Sequence, residues 1–122
     1  MSQSDQIPRF SRADVERVVI REFGAASSNG IWKILELYGR EAWHSETERV
    51  WMAALKSSNR NVERLKQIIA GACQDYRDTL VAAEYPHYAS LDFKTLDALS
   101  ASERAALYAR DWNQYRAWVD KV

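Results

Sequence analysis

The chain reads as an all-α protein, a compact bundle of about five helices, the longest of them ending at Tyr85/Pro86. Three observations predict it. Apolar residues recur at intervals of three and four over successive stretches, the period of a helix with one buried face. Four glycines and two prolines in 122 residues leave too few turn formers for a set of β-hairpins. Serine stands ahead of three of the apolar stretches, at the place of a helix cap.

Residues 1–9 are polar and are expected to form a disordered tail ahead of one helical domain over 10–122. Ser11 can cap the first helix, with Asp14 at its third position and Phe10 able to staple onto Val15. Val15, Val18, Val19 and Phe23 give the inner stripe and Gly24 the stop, although the β-branched run Val18-Val19-Ile20 makes a strand the competing assignment. Ile31, Ile34, Leu35 and Tyr38 form the second stripe, after Ser28-Asn29-Gly30 and before Gly39. Ser45-Glu46-Thr47-Glu48 has the spacing of a capping box and introduces Val50, Trp51, Ala54 and Leu55, before Ser57-Ser58-Asn59 breaks the pattern.

The fourth helix is expected to run unbroken from Asn61 to Tyr85, where Pro86 denies it a further backbone donor. Its inner stripe is Val62, Leu65, Ile69, Ala72, Tyr76, Leu80 and Ala83. Residues 90–99 read as a loop with one helical turn carrying Leu91, Phe93, Leu96 and Leu99. A second capping box, Ser100 to Glu103, opens the last helix, whose stripe is Ala105, Tyr108, Trp112, Tyr115 and Val119.

Charge narrows the function classes. Seventeen basic and seventeen acidic side chains cancel and are mixed along the chain, so no field draws in nucleic acid or an anionic membrane. The hairpin from Val15 to Tyr38 imitates a helix-turn-helix, but its reading helix would present Ile31, Trp32, Lys33, Ile34, Leu35 and Glu36, few of which contact bases or phosphates. No apolar run is long enough for a membrane span, and the first residues lack a signal-peptide layout, so a cytoplasmic protein is expected. The single cysteine, Cys73, agrees with a reducing compartment and reads as a small hydrophobe at the stripe's edge.

The densest chemistry lies between Gln74 and Tyr88. On an unbroken helix, Asp75 and Asp78 share a flank about a quarter-turn from the Tyr76 stripe, beside Arg64, Gly71 and Ala82. Arg77 and Glu84 then fall together on the outer side. Two carboxylates three positions apart can hold a metal or share a proton, but with Arg64 and Arg77 nearby ion pairing is the favoured reading. His44 and His87 have no metal-ligand spacing, and no HExxH pattern, glycine-rich phosphate loop or nucleophile elbow occurs. Trp32, Trp43, Tyr88 and Trp118 lie off the stripes, either packing helix ends or awaiting a partner.

One resemblance is specific in wording. Tyr38-Gly39-Arg40-Glu41-Ala42-Trp43, Glu48-x-Val50, Ala54-Leu55-Lys56-x-Ser58, Leu65-Lys66 and above all D-Y-R-D-x-L-x-A-A-E-Y-P, from Asp75 to Pro86, resemble a group of small, uncharacterised all-helical bacterial proteins. The resemblance covers roughly the middle half of the chain and implies no activity, cofactor or partner, so it assigns no residue a role.

The reading is therefore a small helical module that works by contact with another protein or with itself as a homodimer, without a cofactor, nucleic acid or membrane. Asp75, Arg77, Asp78, Tyr85, His87 and Tyr88 form its candidate contact surface. The alternative is a metal-dependent hydrolase or ligand-binding bundle using Asp75, Asp78, Glu84 and a histidine.

Overall fold

The computed structural model of the chain describes residues 8–121. Among them it is all-helical and strand-free, but with eight α-helices instead of about five. They are α1 (Arg12–Phe23), α2 (Ser28–Leu35), α3 (Thr47–Ser58), α4 (Val62–Gln74), α5 (Tyr76–Glu84), α6 (Pro86–Ala89), α7 (Phe93–Ala98) and α8 (Ala101–Val119), with a 3-10 turn at Ala25–Ser27. Of the expected N-terminal tail only Pro8 and Arg9 are described, Pro8 being buried; the rest lies outside the described residues.

Local chemistry accounts for several boundaries. Ser11 and Asp14 bond reciprocally at the start of α1, as do Ser100 and Glu103 at α8. Asn61 accepts the Arg64 N–H at α4, and Gly24, at φ 89°, ends α1 where a side chain would be strained. Val18, Val19 and Ile20 are helical, so the strand assignment is excluded: Val18 and Val19 are fully buried in the α1 stripe, and packing overrides their β preference.

Two expectations are corrected. The segment from Asn61 to Tyr85 is two helices, and the longest helix is α8 with 19 residues. Asp75 leaves the helical region (φ −151°, ψ 103°) and its carboxylate accepts the Arg77 N–H, acting as the N-cap of α5. Aspartate competes well for such a position because its short side chain replaces a lost backbone bond. The capping box at Ser45 also fails to form. Glu46 occupies the N-cap of α3 in the left-handed region (φ 56°) with no side-chain cap, while the Tyr38 hydroxyl donates to the Ser45 carbonyl at 2.5 Å. The preceding loop is held by that bond and by Gly39 (φ 112°), and the Ser45 hydroxyl donates back to the Trp43 carbonyl at 3.5 Å instead of capping α3. Pro86 does end α5 at Tyr85, and then serves as the first residue of α6, where its missing N–H costs nothing.

The core gathers on α3, which packs against α1, α4 and α5 and buries Val50, Trp51, Met52, Ala53, Ala54 and Leu55. Trp51 meets Trp32 edge to face at 5.3 Å and donates to the Leu35 carbonyl at 2.7 Å. Trp32 in turn donates to the Glu16 carboxylate. Tyr115 and Val119 bring the far end of α8 into the same core. There Arg17 and Arg21 of α1 donate to the Val119 carbonyl at 2.9 and 3.0 Å, and Arg21 lies over the Trp118 ring. Cations at the terminal carbonyls of α8 complement the negative end of its dipole.

Candidate functional site

The break at Asp75 opens a groove of about 380 Å³ between α4 and α5. Ile68, Gly71 and Ala82 give it apolar or small walls, and Gln74, Asp75 and Asp78 line its polar side. The flank expected from helix spacing, two aspartates beside Gly71 and Ala82, is thus brought together; Arg64 is not part of it.

The two aspartates differ. The Asp75 carboxylate receives the Arg77 guanidinium at 3.0 and 3.1 Å as well as the Arg77 N–H. Those bonds, the guanidinium first, hold it below the usual carboxyl range. Asp78 forms no ion pair or hydrogen bond among the described residues and is exposed. The groove therefore presents one carboxylate bonded directly to Arg77 and one that feels the same guanidinium without bonding it.

Gly71 is informative for what it lacks. It lies inside α4, where glycine costs roughly 0.5–1 kcal/mol relative to alanine, yet a Cβ built on it would meet nothing within 4 Å. The chain's own packing gives no reason for a glycine there.

The remaining candidates are dispersed. Glu84, expected on the outer side with Arg77, is 3% exposed. The helical angle was right but the environment was not: the first turn of α5 is open at Arg77, whereas its last turn is covered by α3, which supplies Arg49. Arg49 donates to both Glu84 oxygens, at 2.8 and 2.7 Å, an arrangement suited to a buried carboxylate. Burial raises the Glu84 carboxyl despite the pairing, while the same bonds raise Arg49.

His87 faces Asp111 of α8, not the aspartates of the groove. Asp111 is fully buried and accepts the His87 N–H (2.9 Å), the Tyr88 N–H (3.1 Å) and His87 Nδ1 (2.6 Å), so it serves as the cap of α6 supplied from another helix. Sequence reasoning passed over this residue. The signal was present: position 111 falls one turn before Tyr115 and two before Val119 on the buried face of α8, where an acidic side chain needs partners. Tyr88 stacks on Tyr108 at 5.3 Å and Tyr85 meets the same ring edge-on at 6.1 Å. Burial, followed by the Glu84 charge, raises the Tyr85 hydroxyl.

The other off-stripe aromatics are also largely engaged. Trp32 is buried, Trp118 stacks on Tyr115, and Trp43, 53% exposed, packs edge-on against His44. His44 Nδ1 accepts the Gly39 N–H at 2.8 Å. The ligand set of a metal-dependent alternative is not assembled: Glu84 is held by Arg49, His87 by Asp111 and Asp75 by Arg77. Among the described residues no three His, Cys, Asp or Glu are placed to hold a metal ion, and no helix is long and apolar enough to cross a membrane.

Compared with protein-family models, curated proteins and solved structures, the chain matches none of them.

Proposed function

We propose that the chain is a docking module that receives a basic, amphipathic helix of another protein in the α4–α5 groove. The observation that carries this reading is Gly71, a helix-interior glycine with open space where its side chain would be, facing the groove that also holds the unpaired Asp78. A second helix could approach closely over Gly71 and Ala82, set its apolar residues on Ile68, and place a Lys or Arg against Asp78. Asp75, already neutralised by Arg77, would offer a second cation no free charge, which leaves Asp78 to set the register. Tyr85, His87 and Tyr88 continue the half-buried surface past the end of α5. The lone thiol and the resemblance to bacterial proteins support a reducing bacterial cytoplasm as the setting of this reading.

The test uses a fluorescent, lysine-bearing amphipathic peptide titrated with the chain and read by anisotropy. Saturable binding is expected, weakened about tenfold or more by Asp78→Lys and by Gly71→Leu, with both variants melting as cooperatively as the parent chain. Equal affinity for the parent and both variants would remove the groove from the reading. No binding up to about 1 mM peptide would remove the basic helix as its occupant.

A further inference from the structure

We infer that the outer face of α8 is a self-association surface, which pairs antiparallel with the same face of a second copy of this chain. It is separate from the α4–α5 groove. The buried residues of α8, Asp111, Tyr115 and Val119, lie on the side that packs on α5 and α6. About 120° round the helix, Glu103, Ala106, Leu107 and Arg110 line an apolar hollow of about 320 Å³ together with Leu91 and Leu99. Phe93, two residues past Leu91, is 86% exposed, the highest value for a large apolar side chain among the described residues.

The spacing on this face is self-complementary. Positions 103, 106, 107 and 110 follow the i, i+3, i+4, i+7 pattern of a helix seam. A twofold axis passing between Ala106 and Leu107 sets each Ala106 opposite the partner copy's Leu107, small against large. The same axis sets each Glu103 opposite the other copy's Arg110, acid against base, twice. Arg110 has no ion pair or hydrogen bond among the described residues, so its charge is available for this contact. Glu103 already accepts the Ser100 N–H at 2.9 Å, which lowers its carboxyl and keeps it ionised. An acidic and a basic residue equidistant from the centre of one exposed seam favour a second copy over an unrelated partner, because a twofold contact satisfies both charges at once.

Sedimentation velocity tests this on the full chain. The parent chain is expected to dimerise with a Kd of about 1–100 µM, since a seam of two helical turns with flanking leucines is small beside obligate interfaces. Arg110→Glu places four carboxylates together and Glu103→Arg four guanidinium groups, so each variant alone should be monomeric. An equimolar mixture of the two should recover the dimer, because each copy then carries one sign only. Ala106→Arg, at an exposed position, should also be monomeric and gives a second reading where loss of the Glu103 cap unfolds its variant. A parent chain that stays monomeric to about 1 mM overturns the proposal. A dimer unaffected by Arg110→Glu and Ala106→Arg, or a mixture that remains monomeric with both variants folded, overturns it as well.

Discussion

At the scale of single residues, two buried carboxylates answer to distant partners, and removing the partner or the carboxylate exposes what each holds. Asp111 satisfies three donors of α6 at once, and Asp111→Ala leaves two backbone N–H groups without an acceptor in a covered site. A loss of about 2–4 kcal/mol is expected, read from the urea midpoint, with Asp111→Asn recovering part because its carbonyl can still accept. A loss below about 1 kcal/mol would mean that water reaches α6 and the cap is dispensable. Glu84 behaves differently because its partner is a charge. Arg49→Met strands a buried carboxylate and should cost about 3–5 kcal/mol at pH 7, while the double variant Arg49→Met/Glu84→Met should regain much of it. The pH dependence has a defined sign. Burial raises the Glu84 carboxyl above its ordinary 4.5, so its contribution is fully present below that value and declines as pH rises through the folded value. Without Arg49 the rise is larger, and the deficit of the single variant should shrink as pH falls toward 4.5. A deficit independent of pH would place the cost in lost packing instead.

At the scale of elements, the two glycines with opposite surroundings make the sharpest contrast. Gly39 holds φ 112° and a Cβ there would stand 3.0 Å from Thr47 Cγ2, so Gly39→Ala should destabilise by about 1–3 kcal/mol. Gly71 has open space and sits within a helix, so Gly71→Ala should stabilise by about 0.5–1 kcal/mol. Thermal melts of the two variants should therefore move in opposite directions; a Gly71→Ala variant less stable than the parent would show that the chain's own packing requires this glycine. The same elements show what was legible in the sequence. Caps built from neighbours, at Ser11, Asn61 and Ser100, are local bonds and could be read residue by residue. The break at Asp75 could not, because Ala72, Tyr76 and Leu80 continue the apolar period across it, and only the Asp75 cap decides against continuity. Ser45 failed for another reason: Glu46 turns into the left-handed region, and the Ser45 hydroxyl bonds back to the Trp43 carbonyl instead of capping α3. The groove was partly legible, as Gly71, Asp75, Asp78 and Ala82 share a flank whether or not the helix is broken. The Arg49–Glu84 and His87–Asp111 pairs span 35 and 24 positions, and no local period encodes such distances.

At the scale of the whole molecule, the distribution of burial predicts an order of opening. α3 is enclosed by α1, α4 and α5, and its fully buried run from Met52 to Leu55 leaves no face toward solvent at its centre. α7 buries only Leu96 and presents Phe93 outward. α8 is divided: its last turns are fastened to α1 through Arg17 and Arg21, with Tyr115 meeting Phe10 just ahead of α1, whereas its first turns carry mostly exposed residues. Amides in α3 should then exchange with deuterium only through global unfolding, at a free energy equal to that from denaturant titration. Those in α7 and the first turns of α8 should exchange through local opening, faster and with little dependence on denaturant. The gradient along α8 also separates the two proposed surfaces. Self-association over Glu103 to Arg110 should slow exchange in the first turns of α8 as protein concentration rises and leave α4 and α5 unchanged. A basic helix in the groove should slow exchange around Gly71 and Asp78 and leave α8 unchanged. Protection that rises in both places under either condition would mean that the surfaces are coupled, with α5, which lines the groove and packs against α8, as the connecting helix.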